Sequence, residues 1–153
     1  MITVREATLG DLDVLLNMEQ GVVIAERPFD SSLKKEGVKY YDIKELINSP
    51  ESSLVVATVN ELIVASGYAT IRESKDYVKY SKYAYLGFMY VHPDHRGKGI
   101  NALIIKALSS WSKSKNVTNL KLDVYIENEA AIKAYEKLNF KNSMVEMRLD
   151  LNQ

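Results

Sequence analysis

The sequence predicts an α/β fold, a mixed sheet with helices on both faces. Three observations carry that expectation. Ile100, Leu103, Ile104, Ala107, Leu108 and Trp111 recur at the spacing of a single helix face. Ser53 to Val59, Leu62 to Ile71 and Tyr83 to Val91 are apolar and aromatic runs of strand length, the first two joined by only Asn60-Glu61. Along the chain, strands and helices alternate in the order βα(α)ββ and then β–α–β–α–β.

Taken in order, Ile2, Thr3 and Val4 alternate as a short strand ended by Gly10 and Asp11. Leu12, Leu15, Leu16 and Met18 then fall on helical spacing, which predicts a helix from Asp11 to about Gly21. Val22 to Tyr41 reads as loop and short helical pieces. Ile43 to Ile47 is a further helix, stopped by Asn48-Ser49-Pro50. After the hairpin, the polar stretch Arg72 to Lys82 reads as a long loop. Pro93 ends the following strand by removing a ladder donor. Past the long amphipathic helix, Leu120, Leu122 and Val124 alternate with Lys121 and Asp123 as a strand. A short helix follows from Glu129 to Leu138, with Asn128 as N-cap and Asn139 as a left-handed C′ residue. Val145 to Leu149 is expected to close the chain as a last strand, whose edge offers a homodimer contact.

Composition narrows the function. A chain of 153 residues suits one domain, 1–153, with its own core. Lys+Arg and Asp+Glu both number 20, so no global field points to nucleic acid or to a membrane surface. There is no cysteine, which removes disulfides, thiolate zinc sites and a cysteine nucleophile. The first residues lack a signal-peptide core, and no run approaches the ~18 to 20 apolar residues that span a bilayer. The expected setting is the cytoplasm.

The stretch His95 to Asn101, HRGKGIN, lies between a strand and a helix start. Gly97 and Gly99 let backbone approach a ligand, and the first N–H groups of a helix have no partners within it. The helix dipole, Arg96 and Lys98 all favour an anion there. Taken alone, the turn is equally a helix start with useful glycines. It is neither a P-loop, since Ile100 follows Gly99, nor a complete GxGxxG, since Ala102 stands at the third glycine.

The segment YLGFMYVHPDHRGKGIN resembles the acyl-CoA signature of the GNAT superfamily of N-acyltransferases. Its Gln/Arg-x-x-Gly-x-Gly/Ala pattern falls on Arg96, Gly97, Lys98, Gly99, Ile100 and Asn101. Downstream, VYIENEAAIKAYEKLNF resembles the family's Asn-x-x-Ala-x-x-x-Tyr-x-x-x-Gly-Phe element. The two stand one helix and one strand apart, and the likeness covers nearly the whole chain. Asn101 and Asn139 depart from the pattern, each standing where a smaller residue is usual.

The resemblance implies a largely antiparallel mixed sheet splayed at its centre, and an N-acetyltransferase using acetyl-CoA as co-substrate, without a metal. Met89, Tyr90 and Val91, the end of a strand kinked by a bulge, would offer backbone groups to the pantetheine arm. Gly97 to Ala102 would hold the pyrophosphate. Asn128 would bond the pantetheine, and Tyr135 would face the thioester sulfur.

The acceptor would be a primary amine attacking the acetyl carbonyl directly. An alkylamine near ~10.4 is overwhelmingly protonated at neutral pH, so a base, or desolvation of the ammonium, must assist. Asp123, on the strand face opposite Leu122 and Val124, is the candidate; a solvated strand acid is the alternative, and Glu26 and Glu73 are others. A backbone N–H near Tyr90 or Val91 would stabilise the oxyanion. Tyr135 is the candidate acid for the thiolate. A tyrosine near ~10 exceeds a thiol near ~8.5, so strong hydrogen bonding describes it better than full transfer. Acceptor recognition falls to Val22 to Tyr41 and Arg72 to Lys82, with Glu26, Phe29 and Tyr41 suited to a small polar amine or amino acid. A peptide N-terminus or lysine acceptor, and a non-catalytic acyl-CoA-binding regulatory module, are the competing readings.

Overall fold

The computed structural model describes residues 1–152. The chain divides into two compact units, Met1–Asp123 and Val124–Gln153. The first is built on a five-stranded sheet whose spatial order follows the sequence. Its strands are β1 (Ile2–Glu6), β2 (Ser52–Val59), β3 (Leu62–Glu73), β4 (Lys82–Val91) and β5 (Leu120–Lys121). β1 to β4 pair antiparallel, and β5 joins β4 in parallel. The expected mixed, largely antiparallel sheet is present.

Helices cover both faces. Tyr68 of β3 shares a core cluster with Leu15, Met18 and Val22 of α1 (Leu12–Glu26) and with Ile43 of α2 (Ile43–Asn48). Its neighbour Gly67 points the other way, since strand residues alternate. A Cβ there would come within 2.5 Å of Ile104 in α3 (Ile100–Ser114). The glycine lets α3 settle directly on the sheet.

Three boundaries differ from the sequence expectation. α1 continues through Gly21 to Glu26 because Val22 and Val23 extend its buried stripe. Glycine is tolerated inside the helix because a Cβ at Gly21 would lie 2.7 Å from the Tyr90 hydroxyl. β3 runs on to Glu73, which takes Arg72 out of the expected loop and places it on the sheet, paired with Tyr83. β5 stops at Lys121 and does not reach Val124. It pairs only through Ala84↔Leu120 and Tyr85↔Lys121, so β4 from Leu86 onward has no strand on that side. This is the splay.

β4 also carries a bulge. Ser66 pairs with Tyr90 and Tyr68 with Gly87, so Phe88 and Met89 together oppose Gly67. Phe88 takes up the extra residue in the left-handed region, at φ 53. Its carbonyl accepts the buried Ser66 hydroxyl at 2.9 Å, which holds the distortion in place. The β2–β3 hairpin turns as expected at Asn60 and Glu61, with φ 50 and 67.

The segment after α1 opens with a 3₁₀ turn, Arg27–Phe29, and then has no regular structure up to α2. It is fixed by Glu19, which is 1% exposed. One Glu19 oxygen accepts the backbone N–H groups of Tyr40 at 2.7 Å and Tyr41 at 2.9 Å. A buried carboxylate needs such donors, and the irregular backbone needs the acceptor.

At the other end of α1, Arg5 meets Asp11 through two hydrogen bonds of 2.8 and 3.1 Å, and Thr8 N donates to the same carboxylate at 2.8 Å. The Arg5 bond above all holds the Asp11 carboxyl at about 2. A depressed carboxyl stabilises the fold above its unfolded value near ~4, and the benefit fades as pH falls through about 2. Arg5 is partly solvated, which limits the effect to about 1 kcal/mol. Asp11→Asn is therefore expected to lower stability by that amount at pH 7. Urea titrations of variant and parent should converge near pH 2; a constant gap across that range contradicts the assignment.

In the second unit, α4 (Glu129–Lys137) is capped by Asn128, whose side chain accepts from Ala131 N at 3.2 Å. Asn139 closes it in the left-handed region at φ 71. Both end signals were legible. The expected strand at Val145 to Leu149 is absent: no ladder forms there, and Met147 and Leu149 are 90% and 83% exposed. Alternation selects a strand only when a neighbouring strand supplies ladder hydrogen bonds, and among the described residues no strand pairs with this segment. The strand edge on which a homodimer contact rested is therefore missing too. Among the described residues no helix is long and apolar enough to cross a membrane.

Candidate active site

The turn at 95–101 has the geometry of an anion seat. Gly97 and Gly99 both adopt positive φ, 77 and 75, and nothing stands within 4 Å of a Cβ built on either. Their role is backbone shape and open space. Ile100, 1% exposed, anchors the first turn of α3 in the core and so fixes the direction of its N-terminus. Among the described residues, no acceptor in the chain meets the N–H groups of Gly97, Lys98, Gly99, Ile100, Asn101 or Ala102. Six consecutive donors on a glycine turn at a helix start suit a pyrophosphate. Asn101 sits half-buried on the second helical position.

Two basic and two imidazole side chains flank this turn. Arg96 folds back, its Nε donating to the Val91 carbonyl at 3.0 Å, which ties the turn to β4. Lys98 is exposed. His92 caps the 3₁₀ turn Pro93–His95, its Nδ1 accepting from Asp94 N at 3.2 Å. The His95 Nδ1 is buried without a hydrogen-bond partner.

β4 contributes its backbone. His92 N donates to Val64 O at 2.8 Å, so the adjacent Val91 turns its own N–H and C=O to the opposite edge, the open side of the splay. Arg96 takes the Val91 carbonyl; its N–H faces the opening. Tyr90 pairs with Ser66 in the ladder, and its ring lies under α1 against Gly21. Met89 lies on the α3 face, its sulfur 2.8 Å from a Cβ built at Gly67.

On the α1–α2 face, a cleft of about 250 Å³ is lined by Tyr40, Tyr41, Asp42, Glu45, Tyr68 and Arg72, among others. Tyr41 stacks on Phe88 at 4.7 Å and meets Tyr68 edge-on at 5.8 Å, so the cleft's inner wall rests on the bulge. Burial, reinforced by Glu26, pushes the Tyr41 hydroxyl far above its ordinary range. The Tyr40 hydroxyl is pushed up to about 12, again by burial first and then by Glu26. Glu26 is itself raised by burial, with the nearby Tyr40 hydroxyl opposing. The Tyr40 hydroxyl stands close to Glu26 without meeting full hydrogen-bond geometry. Of the residues expected to serve the acceptor, Glu26 and Tyr41 are thus neighbours. Phe29 ends the 3₁₀ turn, half-buried and outside the lining of the cleft.

Asp123 accepts the Tyr85 hydroxyl at 2.8 Å. Burial first, then this bond, pushes the Tyr85 hydroxyl well above its usual range. Arg72 lies over the face of the same ring, its guanidinium carbon 4.0 Å from the ring centre. In the second unit, Tyr135 is half-buried and meets Phe140 edge-on at 5.7 Å. Sequence reasoning missed Glu19, Tyr68 and Tyr85, and it placed Arg72 in a recognition loop and not on a strand. Tyr68, Thr70 and Arg72 at i, i+2 and i+4 would have marked one strand face had β3 been extended two residues.

Residues 20–140 match the model of the Acetyltransferase (GNAT) family. The chain belongs to the GNAT family. An uncharacterised N-acetyltransferase of Methanocaldococcus jannaschii is 29% identical over 145 residues, which are 94% of this chain and 62% of that protein. The chain thus spans less than two thirds of that relative's length. An acetyltransferase of Yersinia pestis is 33% identical over 115 residues, 73% of this chain and 76% of its own. Among solved structures, a predicted acetyltransferase of Clostridium acetobutylicum with acetyl-CoA superposes with a TM-score of 0.74. It covers 99% of this chain and 97% of that one at 19% identity, a likeness of fold.

Proposed function

We propose that this GNAT protein is an N-acetyltransferase that moves an acetyl group from acetyl-CoA to a primary amine on a small polar molecule or amino acid. The observation that carries the reading is the run of six N–H groups from Gly97 to Ala102 at the start of α3, without an acceptor of their own. Family membership and the acetyl-CoA in the Clostridium acetobutylicum relative support it.

In this reading the α3 turn holds the pyrophosphate, and the free edge of β4 lines the pantetheine arm. The Val91 N–H, turned to that edge, donates to the oxyanion as the amine adds to the carbonyl. Asp123 takes the proton that the substrate ammonium must lose so that the neutral amine can attack, directly or through the Tyr85 hydroxyl it holds. Tyr135 donates to the departing thiolate, and Asn128, whose side-chain oxygen caps α4, offers its two amide hydrogens to the pantetheine. Glu26 and Tyr41 shape the acceptor side; Phe29 supports them.

The test is release of free thiol from acetyl-CoA in the presence of amino acids, polyamines, aminoglycosides and peptides. Acceptor-dependent release from at least one small amine is expected. Binding of acetyl-CoA with no acceptor-dependent release anywhere in that set sinks the catalytic reading and favours a regulatory acyl-CoA module. Turnover confined to peptides moves the acceptor to a protein N-terminus or lysine.

A further inference from the structure

Arg72 is a charged side chain that the mechanism leaves unused. It lines the cleft on the α1–α2 face beside Tyr68 and Thr70, along one face of β3. Its guanidinium sits over the Tyr85 ring, its central carbon 4.0 Å from the centre, which restrains the fork. Among the described residues no carboxylate forms an ion pair with it, and its side chain makes no hydrogen bond. Asp123, the acid on the same tyrosine, is engaged by the Tyr85 hydroxyl.

We propose that Arg72 determines acceptor specificity by binding an anionic group, a carboxylate or a phosphate, on the amine to be acetylated. This rests on the acetyltransferase reading and names its substrate class. Two features support an anion. A guanidinium pre-oriented on a ring presents two parallel N–H donors at little entropic cost, matching a planar or tetrahedral oxyanion. The cleft is also dipolar: Asp42 and Glu45 contribute negative charge from α2 and its cap, and Arg72 contributes positive charge from β3.

One geometric consequence follows. Arg72 and Asp123 are both tied to Tyr85, one to the face of the ring and the other to its hydroxyl. The anion anchor and the proton acceptor are therefore held by one aromatic ring without pairing with each other. The acceptor is a compact zwitterion, with its amine only a few bonds from its anionic group.

The experiment compares matched amines in the parent, Arg72→Gln and Arg72→Lys proteins. The set is α-amino acids against their amides, β-alanine against propylamine, and phosphoethanolamine against ethanolamine. The parent is expected to favour the anionic member of a pair. Arg72→Gln should lose about 10- to 100-fold more kcat/KM on that member than on its neutral partner, the range of a charge-assisted pair, and mainly through KM. Arg72→Lys should recover part of the loss, because the charge returns without the fork. The carboxylate and phosphate pairs separate the two sources of the anion. Equal losses on charged and neutral members, or no loss, overturn the proposal. If no amine is acetylated, the enzyme reading has failed, and calorimetric binding of the same set to the protein with CoA decides: anion binding that Arg72→Gln weakens by that factor supports Arg72, and unchanged or undetectable anion binding overturns it.

Discussion

Tyr135→Phe is expected to lower kcat by about 10- to 10³-fold while leaving acetyl-CoA affinity nearly unchanged, the range for loss of a general acid. The substitution removes one oxygen and keeps the ring. The ring is what packs, edge-on to Phe140, and the helix end around it depends on the main chain. Tyr135 O accepts Leu138 N at 2.9 Å and Phe140 N at 3.1 Å, and Asn139 supplies the left-handed residue between them. A change in rate thus reports on the hydroxyl and not on a collapsed α4. Single-turnover measurement makes the acetyl step visible, and an unchanged rate for that step removes Tyr135 from the mechanism. A rise in KM for acetyl-CoA with kcat intact would make the hydroxyl a binding group.

The parts of the fold that were legible in the sequence are those where a single local cue suffices. The apolar stripe from Ile100 to Trp111 defines α3 without reference to anything else. Asn128 and Asn139 mark the ends of α4 because side-chain capping and positive φ are local properties. Other features depend on partners distant in sequence. Gly21 looks like a helix end until Tyr90, on another strand, fills the space its side chain would need. Glu19 looks like an exposed acid of an amphipathic helix, yet its partners lie about twenty residues on, at Tyr40 and Tyr41. The left-handed Phe88 has no glycine to announce it and is held by Ser66 from across the sheet. The candidate site divides along the same line. Its donor side, from Gly97 to Ala102, is a contiguous motif. Its acceptor side joins α1, α2, β3 and β4, and only the folded chain shows that Arg72 and Asp123 share Tyr85. Val145 to Leu149 errs in the opposite direction, offering the pattern of a strand without a partner to pair with.

Gly99→Val is expected to raise the Kd for acetyl-CoA by about 10² to 10³-fold, with the domain still folded. At φ 75 and ψ 13 Gly99 is left-handed, a conformation that costs an ordinary residue about 1 to 2 kcal/mol and a β-branched one more. A Cβ at this position meets no atom within 4 Å, so the first side-chain atom adds no clash to that cost. A domain with several kcal/mol of stability survives such a loss. Binding does not, because the chain escapes the strain by rotating Gly99, and the N–H groups of Lys98 to Asn101 then cease to converge. Losing two charge-assisted bonds at the low end of their range, about 1.5 to 2 kcal/mol each, accounts for the predicted factor. Gly37 provides the control within the same molecule, since it has φ 71 and nothing within 4 Å of its own Cβ. Gly37→Val carries comparable backbone strain at a place remote in sequence from the turn. Comparable losses in unfolding free energy, with acetyl-CoA binding weakened only in Gly99→Val, separate the pyrophosphate seat from general strain. Equal acetyl-CoA affinity in the two variants would show that the left-handed turn at Gly99 serves the start of α3 alone.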